Sequence, residues 1–310
     1  MLLPSRSRGS RLAVIDLGSN TFHILIVQAW ESPEYFTELF RERRFIYLAR
    51  GGVSHITEDR YRAGIECLKD FKSHIDQYRV DDVIAIGTAA LRSAENGAQF
   101  ISDVVGSTGI SIELINGDEE SSLIFEGNKF LLNDSSEPGL IMDIGGGSVE
   151  FILYEADEMI RNYSFPLGIS ELRARFKLSE PIELEELKGL YKDLDREMKD
   201  MFDALVKRSP RQLLGASGPF EILQSIAGDT ISKHPKAYSR DYFKAVAKSI
   251  LSVDLEGRKN IQGMPESRYD LSKESFILMK YIMDRAQSLN DILVSPYAIK
   301  EGLIRNWLFN

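Results

Sequence analysis

The stretch Gly139–Tyr154, GLIMDIGGGSVEFILY, decides the fold of this chain. An apolar run ends at Asp143, three consecutive glycines and Ser148 follow, and a second apolar run begins at Val149. Glycines between two strand-like runs predict a tight turn, because glycine adopts backbone conformations that other residues avoid. Backbone N–H groups in such a turn converge on one concavity, which suits an anion. The stretch therefore predicts a β-hairpin whose turn binds phosphate.

Two carboxylates flank this turn, Asp143 before it and Glu150 after it. Carboxylates beside a bound phosphate repel it unless a divalent cation lies between them. We therefore expect Asp143 and Glu150 to bind a divalent metal ion.

The same pattern occurs earlier in the chain, in Arg11–Val27, RLAVIDLGSNTFHILIV. Here the aspartate is Asp16, and Asp143 lies 127 residues further along. Few aligned residues are identical, but both stretches have a strand, an aspartate, a small-residue turn and a second strand. We interpret the pattern as an internal duplication that gives two domains of one fold, each with a phosphate loop. Two unrelated β-hairpins are the alternative.

Composition narrows the class of protein. The 310 residues are enough for two domains, and 43% hydrophobic with 27% charged residues is typical of globular chains. A net charge of −9 argues against a nucleic-acid binder that relies on a broad basic surface. Cys67 is the only cysteine, which excludes an intrachain disulfide and a cysteine-rich zinc site. No apolar run is long enough for a membrane helix or a signal peptide, so we expect a cytoplasmic protein.

Strand-like and helix-like segments alternate along the chain twice over, which predicts an α/β protein with two mixed sheets. We expect a first domain over residues 1–125, with a C-terminal helix at about 298–310 packing back on it. Residues 126–297 are expected to form the second domain. A polar tail and two loops are predicted at residues 1–10, 133–138 and 228–239, and one long helix is predicted at about residues 183–207.

Basic residues in two segments leave two interpretations open: a solvated face, or positive charge near an anionic ligand. One set lies in a strand predicted at about residues 36–48: Arg41, Arg43 and Arg44. The other lies in a predicted helix and the loop after it: Arg173, Arg175 and Lys177.

Seven strings occur in order along the chain: VIDLGSNTFHILI, GTAALR, INGDEESSLIFEG, MDIGGGSVEFIL, FPLGISELRARF, LLGASG and SPYAIKEGL. Together they closely resemble the exopolyphosphatase and guanosine pentaphosphate phosphohydrolase family, over about residues 11–308. The resemblance implies two duplicated ribonuclease-H-like domains of the actin-like ATPase superfamily, with mixed five-stranded sheets and an interdomain cleft. The chain resembles the short, two-domain form of that family.

The resemblance also implies roles for particular residues. The phosphate loops would be formed by Gly18, Ser19 and Asn20, and by Gly145, Gly146, Gly147 and Ser148. Mg²⁺ would be bound by Asp143, Glu150 and Asp16. The implied catalytic residues are Glu120, as the general base that activates water, and Arg92. Without the resemblance, Asp118–Glu120 is explained as an acidic helix start favoured by the helix dipole, and Glu119 is not distinguished from Glu120 by physics.

The implied reaction is metal-assisted attack of water on the terminal phosphate of inorganic polyphosphate. Hydrolysis of guanosine pentaphosphate to the tetraphosphate is an alternative with the same chemistry. A kinase or ATPase of the same fold, or a non-catalytic alarmone-binding protein, are further alternatives. The resemblance implies a homodimer, and no nucleic-acid or membrane partner is expected. Four residues depart from those common in the family and leave substrate preference open: Ser122, Val149, Pro219 and Lys300.

Overall fold

The computed structural model describes residues 8–30, 35–132, 137–230 and 235–309. The predicted polar tail and the two predicted loops lie partly outside the described residues. The chain divides into two compact units. The first comprises the residues up to Asn128, the short segment Gly145–Ser148, and the residues from Tyr297 onward. The second comprises Lys129–Ile144 and Val149–Pro296.

The first unit is built on a five-stranded mixed sheet. Its strands are β1 (Arg11–Leu17), β2 (Thr21–Ala29), β3 (Phe36–Phe45), β4 (Asp82–Gly87) and β5 (Ile112–Leu114). They lie in the order β3-β2-β1-β4-β5, in which β1, β2 and β3 are antiparallel while β4 and β5 run parallel to β1. The helices that connect and cover them are α1 (Glu58–Gln77), α2 (Ala89–Ser93), α3 (Gly97–Thr108) and α4 (Gly117–Asn128).

One face of this sheet forms the core of the first unit. Alternate residues of β1 and β2 pack with apolar residues of α1 and α3, among them Ile15, Phe22, Phe71 and Phe100. The strand period of two therefore assigns Asp16, between the core residues Ile15 and Leu17, to the opposite face of the sheet.

The second unit repeats this topology. Its strands are β6 (Pro138–Ile144), β7 (Val149–Glu155), β8 (Glu158–Phe165), β9 (Gln212–Gly215), β10 (Ala237–Ser239) and β11 (Asp291–Val294). They lie in the order β10-β11-β9-β6-β7-β8, with β6, β7 and β8 antiparallel and β9 and β11 parallel to β6. Five strands thus match the first sheet in order and direction, which confirms the predicted pair of duplicated α/β folds.

Two details of the second unit differ from the predictions. Its sheet has six strands and not five, because β10, within a segment predicted as a loop, pairs antiparallel with β11. The single helix predicted at 183–207 is two helices, because the backbone of the fully buried Met198 leaves the helical conformation.

The helices of the second unit are α5 (Ile169–Arg175), α6 (Leu184–Glu197), α7 (Lys199–Arg208), α8 (Gly218–Ile226), α9 (Arg240–Leu251), α10 (Leu255–Lys259) and α11 (Ser272–Arg285), with a 3₁₀ turn at Glu266–Arg268.

The last helix, α12 (Ile299–Phe309), belongs to the first unit and packs against α4 and β1. Glycines permit a backbone-to-backbone approach between α4 and α12. A Cβ atom on Gly302 would lie 1.9 Å from the carbonyl oxygen of Leu123, and one on Gly127 would lie 2.3 Å from that of Ala298. Within the described residues, no helix combines the length and apolar character needed to cross a membrane.

We expect Gly302→Ala to lower the free energy of unfolding by about 1–3 kcal/mol, because the added methyl group overpacks this helix contact. Gly189→Ala is the matched control, since Gly189 lies inside α6 with no atom within 4 Å of the added Cβ. That change should raise the free energy of unfolding by about 0.5–1 kcal/mol through helix propensity. Urea unfolding of both variants measures the difference, and equal effects would contradict the close approach.

Candidate active site

The predicted site residues of the first unit follow the ends of its parallel strands. β1 leads into the turn at Gly18, β4 leads into α2 with Arg92, and β5 leads into α4 with Glu120. Because β1, β4 and β5 are parallel, the three connections emerge at one edge of the sheet, where α/β folds commonly bind ligands. The order of strands therefore brings residues that are distant in sequence to one side of the first unit.

The two glycine turns have the same backbone geometry. The N–H of Gly18 donates to the carbonyl oxygen of Thr21 at 3.0 Å, and the N–H of Gly145 donates to that of Ser148 at 2.9 Å. A Cβ atom on either glycine would lie 3.0 Å from the same acceptor. The two turns are thus structural copies, as the sequence pattern predicts.

Both turns belong to the first unit, although the strands β6 and β7 belong to the second. A Cβ atom on Gly146 would lie 2.7 Å from Nδ2 of Asn20, and one on Gly147 would lie 3.0 Å from Oγ of Ser19 and 2.7 Å from Cβ of Ala89. Side chains at these positions would collide with the first turn. The structure therefore brings the two predicted phosphate loops together and explains why the second consists of glycines.

Backbone contacts hold the first turn in place. The N–H groups of Ile46 and Tyr47 donate to the carbonyl oxygen of Asn20 at 2.9 and 2.8 Å, and that of Ala49 donates to the carbonyl oxygen of Ser19 at 3.0 Å. Ser19 and Asn20 are both buried. The turn is thus positioned by the segment that follows β3.

In the second unit, Asp143 and Glu150 are direct cross-strand partners on β6 and β7. Glu150 is only 1% exposed, and its Oε1 accepts a hydrogen bond of 2.9 Å from the hydroxyl of Ser164. The hydroxyl of Ser217 accepts from the N–H of Ile144 at 2.9 Å and so fixes the strand end beside Asp143. Opposed carboxylates repel each other, and a cation relieves that repulsion.

The pair Asp143 and Glu150 fits Mg²⁺, which prefers oxygen ligands and commonly uses one or two carboxylates together with substrate phosphates. Among the described residues, no cluster of three or more His, Cys, Asp or Glu side chains has metal-binding geometry. The predicted set of three carboxylates therefore stays a prediction.

Asp16 lies near the end of β1, beneath α12. Burial raises the pKa of its carboxyl group; the positive charge of Lys300 acts in the opposite direction, and the negative charge of Glu301 adds to the rise. Burial therefore makes the ionised form of Asp16 less favourable than it is in water.

The structure distinguishes Glu119 from Glu120. Asn116 is the N-cap of α4: its Oδ1 accepts from the N–H of Asp118 and of Glu119, and a carboxylate oxygen of Glu119 accepts from the N–H of Asn116 at 2.8 Å. This is a capping box. Glu119 is therefore a helix-capping residue on the surface, whereas Glu120 is partly buried and one of its carboxylate oxygens, Oε2, is inaccessible to solvent.

Arg92 is exposed on α2, and its guanidinium donates a hydrogen bond to the carbonyl oxygen of Ile115. Ile115 precedes α4, so Arg92 lies at the same edge of the sheet as the start of the helix that carries Glu120. Its predicted catalytic role stays a prediction.

The sequence contains no sign that Arg268 lies against a glycine-containing turn. This arginine is buried in the second unit, and its Nη2 lies 3.4 Å from a carboxylate oxygen of Glu221. A Cβ atom on Gly218 would lie 1.6 Å from the same nitrogen, so the absence of a side chain at Gly218 makes room for the guanidinium. Nothing in the local pattern around Arg268 indicated that it reaches a turn 50 residues earlier in the chain.

Two of the basic residues with open interpretations form ion pairs in the second unit. Arg173 contacts Asp270 and Glu274, each at 2.8 Å, and Arg175 contacts Glu197. Their charges are largely compensated within the unit, which favours a structural role over an anion-binding one.

Comparison with known proteins gives the same family as the sequence motifs. A model of the Ppx/GppA phosphatase family matches residues 26–310. The crystal structure of an exopolyphosphatase from Cytophaga hutchinsonii is 31% identical, with coverage of 95% of this chain and 96% of that one and a TM-score of 0.88. A PPX-GPPA enzyme from Aquifex aeolicus is 23% identical, with coverage of 96% and 99% and a TM-score of 0.79, and it shows the likeness of fold alone.

Asp16→Asn should stabilise the free protein at neutral pH. Since the pKa of Asp16 is higher in the folded state than in the unfolded state, its contribution to stability falls as pH rises above the unfolded value of about 3.9. Asparagine removes this dependence, so the melting temperature of the variant should exceed that of the wild type at pH 7, and the difference should disappear at about pH 3.5. Thermal unfolding in EDTA measures both.

Asp157→Asn is the control for this experiment, because Asp157 lies exposed in the turn between β7 and β8. It should leave the melting temperature nearly unchanged. A lower melting temperature for Asp16→Asn at pH 7 would show that the carboxylate stabilises the fold.

Proposed function

The chain belongs to the Ppx/GppA phosphatase family, and from this premise we propose that it is an exopolyphosphatase, which removes terminal orthophosphate from inorganic polyphosphate. The observation that carries the proposal is the packing of two equivalent glycine turns, Gly18–Thr21 and Gly145–Ser148, against each other. Paired turns of this kind suit a ligand with phosphate groups. The relative from Cytophaga hutchinsonii is named an exopolyphosphatase, which supports the same substrate.

In the proposed mechanism, the two turns bind the terminal phosphate through their backbone N–H groups. Asp143 and Glu150 would hold Mg²⁺, with Asp16 as a further ligand, and the bound cation would supply positive charge against the negative charge of phosphoryl transfer. Arg92 contacts the phosphate oxygens and favours the transition state by the same electrostatic effect.

Glu120 acts as the general base. It accepts a proton from the water that attacks the terminal phosphorus, the bond to the bridging oxygen breaks, and the shortened polyphosphate leaves. The partial burial of Glu120 supports this role, since a base shielded from bulk solvent can hold a single water molecule in place. Glu119 is the weaker candidate because its carboxylate caps α4. A cytoplasmic location and a homodimeric state belong to the same proposal and stay predictions from sequence.

The substrate is tested with purified protein given inorganic polyphosphate or guanosine pentaphosphate. We expect phosphate release from polyphosphate with the higher kcat/KM, its loss in EDTA, and its recovery on addition of Mg²⁺. A higher kcat/KM for guanosine pentaphosphate would select the alternative hydrolase. Binding of guanosine tetraphosphate without turnover of any substrate would indicate an alarmone-binding protein, and ADP formation that needs an added acceptor would indicate a kinase.

Glu120→Gln tests the base. The change keeps the shape of the side chain but removes its ability to take a proton, so we expect kcat to fall by about 10²–10⁴-fold with substrate binding retained. Glu119→Gln is the matched control on the neighbouring residue, and it should keep kcat near the wild-type value. Near-normal turnover by Glu120→Gln would reject the assigned role.

A further inference from the structure

Asn116 binds the first turn of α4 at three consecutive backbone positions. Its Oδ1 accepts hydrogen bonds from the N–H groups of Asp118 and Glu119 at 2.9 and 3.0 Å, and its carbonyl oxygen accepts from the N–H of Glu120 at 2.9 Å. A carboxylate oxygen of Glu119 in turn accepts from the N–H of Asn116. The residue before the helix is thus bonded to the backbone of Glu120 and to that of the two residues before it.

The chain on the other side of Asn116 is also held in place. The N–H of Ile115 donates to the carbonyl oxygen of Gly87, at the end of β4, at 3.1 Å. The carbonyl oxygen of Ile115 accepts from the guanidinium of Arg92 on α2. Both bonds join the start of α4 to the edge at which the parallel strands of the first sheet end. Asn116 therefore links this anchored segment to the helical turn that carries Glu120.

The later turns of α4 are positioned by α12. The glycine contacts between the two helices involve Leu123 and Gly127 of α4, and Arg305 of α12 pairs with Glu126 at 3.0 Å. These contacts fix the axis of α4, but all of them lie after Glu120 in the sequence. The first turn of a helix frays when its N–H groups have no acceptors. The position of Glu120 therefore depends on the cap as well as on α12.

We propose that Asn116 is a positioning residue for phosphate release, which acts by holding the carboxylate of Glu120 where it can take the proton of the attacking water. The inference rests on the proposed function, in which Glu120 is the general base. A general base must lie within hydrogen-bond reach of that proton, and a displacement of about 1 Å can slow a reaction by about 100-fold. In the proposed mechanism the glycine turns bind the phosphate, so loss of the cap should change kcat and leave KM nearly unchanged.

A cap that only stabilises the fold is the alternative, and the second unit provides a matched control for it. Ser239 is the N-cap of α9, and its hydroxyl accepts from the N–H of Tyr242 at 3.2 Å. The helices α4 and α9 both have 12 residues, and both capping side chains are exposed, so alanine leaves no cavity at either position. Replacement of either cap by alanine lowers stability. Only a loss of kcat specific to Asn116 indicates positioning.

The first test compares Asn116→Ala with Ser239→Ala on polyphosphate. Asn116→Ala should lower kcat by about 10–100-fold with KM nearly unchanged, whereas Ser239→Ala should lower the melting temperature similarly and keep kcat. Asn116→Ser should restore kcat, because serine caps helices about as well as asparagine and forms a capping box with Glu119. Glu119→Gln also retains this box, since glutamine accepts the same bond. Equal values of kcat for the two alanine variants would overturn the proposal.

The second test combines Asn116→Ala with Glu120→Gln. If Asn116 acts through Glu120, the double variant should have the kcat of Glu120→Gln alone, because the base has already been removed. Losses that multiply would overturn the proposal.

Amide hydrogen exchange gives a readout that does not depend on activity. The N–H groups of Asp118 and Glu119 should exchange faster in Asn116→Ala and at the wild-type rate in Asn116→Ser, and unchanged exchange in Asn116→Ala would overturn the positioning role. Wild-type protein that releases no phosphate would instead reject the proposed function, and this inference with it.

Discussion

The geometry of the candidate active site depends on one backbone hydrogen bond in each glycine turn. The bond from Gly18 to Thr21, repeated from Gly145 to Ser148, closes the hairpin and sets the strands in antiparallel register. Once the register is set, the residue two positions before the first glycine faces the residue two positions after the last turn residue. The same bond that shapes each glycine turn therefore selects which side chain stands beside the aspartate that both copies share.

Comparison of the two copies of the fold shows which structural features both retain and which side chains differ. Both copies keep the hydrogen-bonded turn and the order of five strands. The side chain opposite the aspartate is free to differ, and it is His23 in one unit and Glu150 in the other. The two copies thus place side chains of different charge opposite the same aspartate without a change of fold.

Features that depend on neighbours in sequence were predictable, and features that depend on distant contacts were not. The hairpins, the aspartates and the duplication come from short stretches whose apolar runs and glycines fix the local structure. The spacing Asn116-x-x-Glu119 also allows a capping box to be recognised from sequence. In contrast, β10 is three residues long, and its pairing with β11 involves residues more than 50 positions away. The period of two predicts that Arg43 and Arg44 lie on opposite faces, but only the packing of α1 decides which face is which.

The charge of the chain and the charge of its proposed substrate have the same sign, and this restricts how recognition works. With a net charge of −9, the chain as a whole repels polyphosphate at long range, so affinity must come from contacts at short range. Short-range contacts require cations that are not neutralised by nearby carboxylates. Arg44 and Arg173 do not meet this requirement because both are paired with acidic residues. Lys300 has no ion pair in the described part of the chain, but its positive charge acts on the carboxyl group of Asp16 and is therefore shared with that acidic residue.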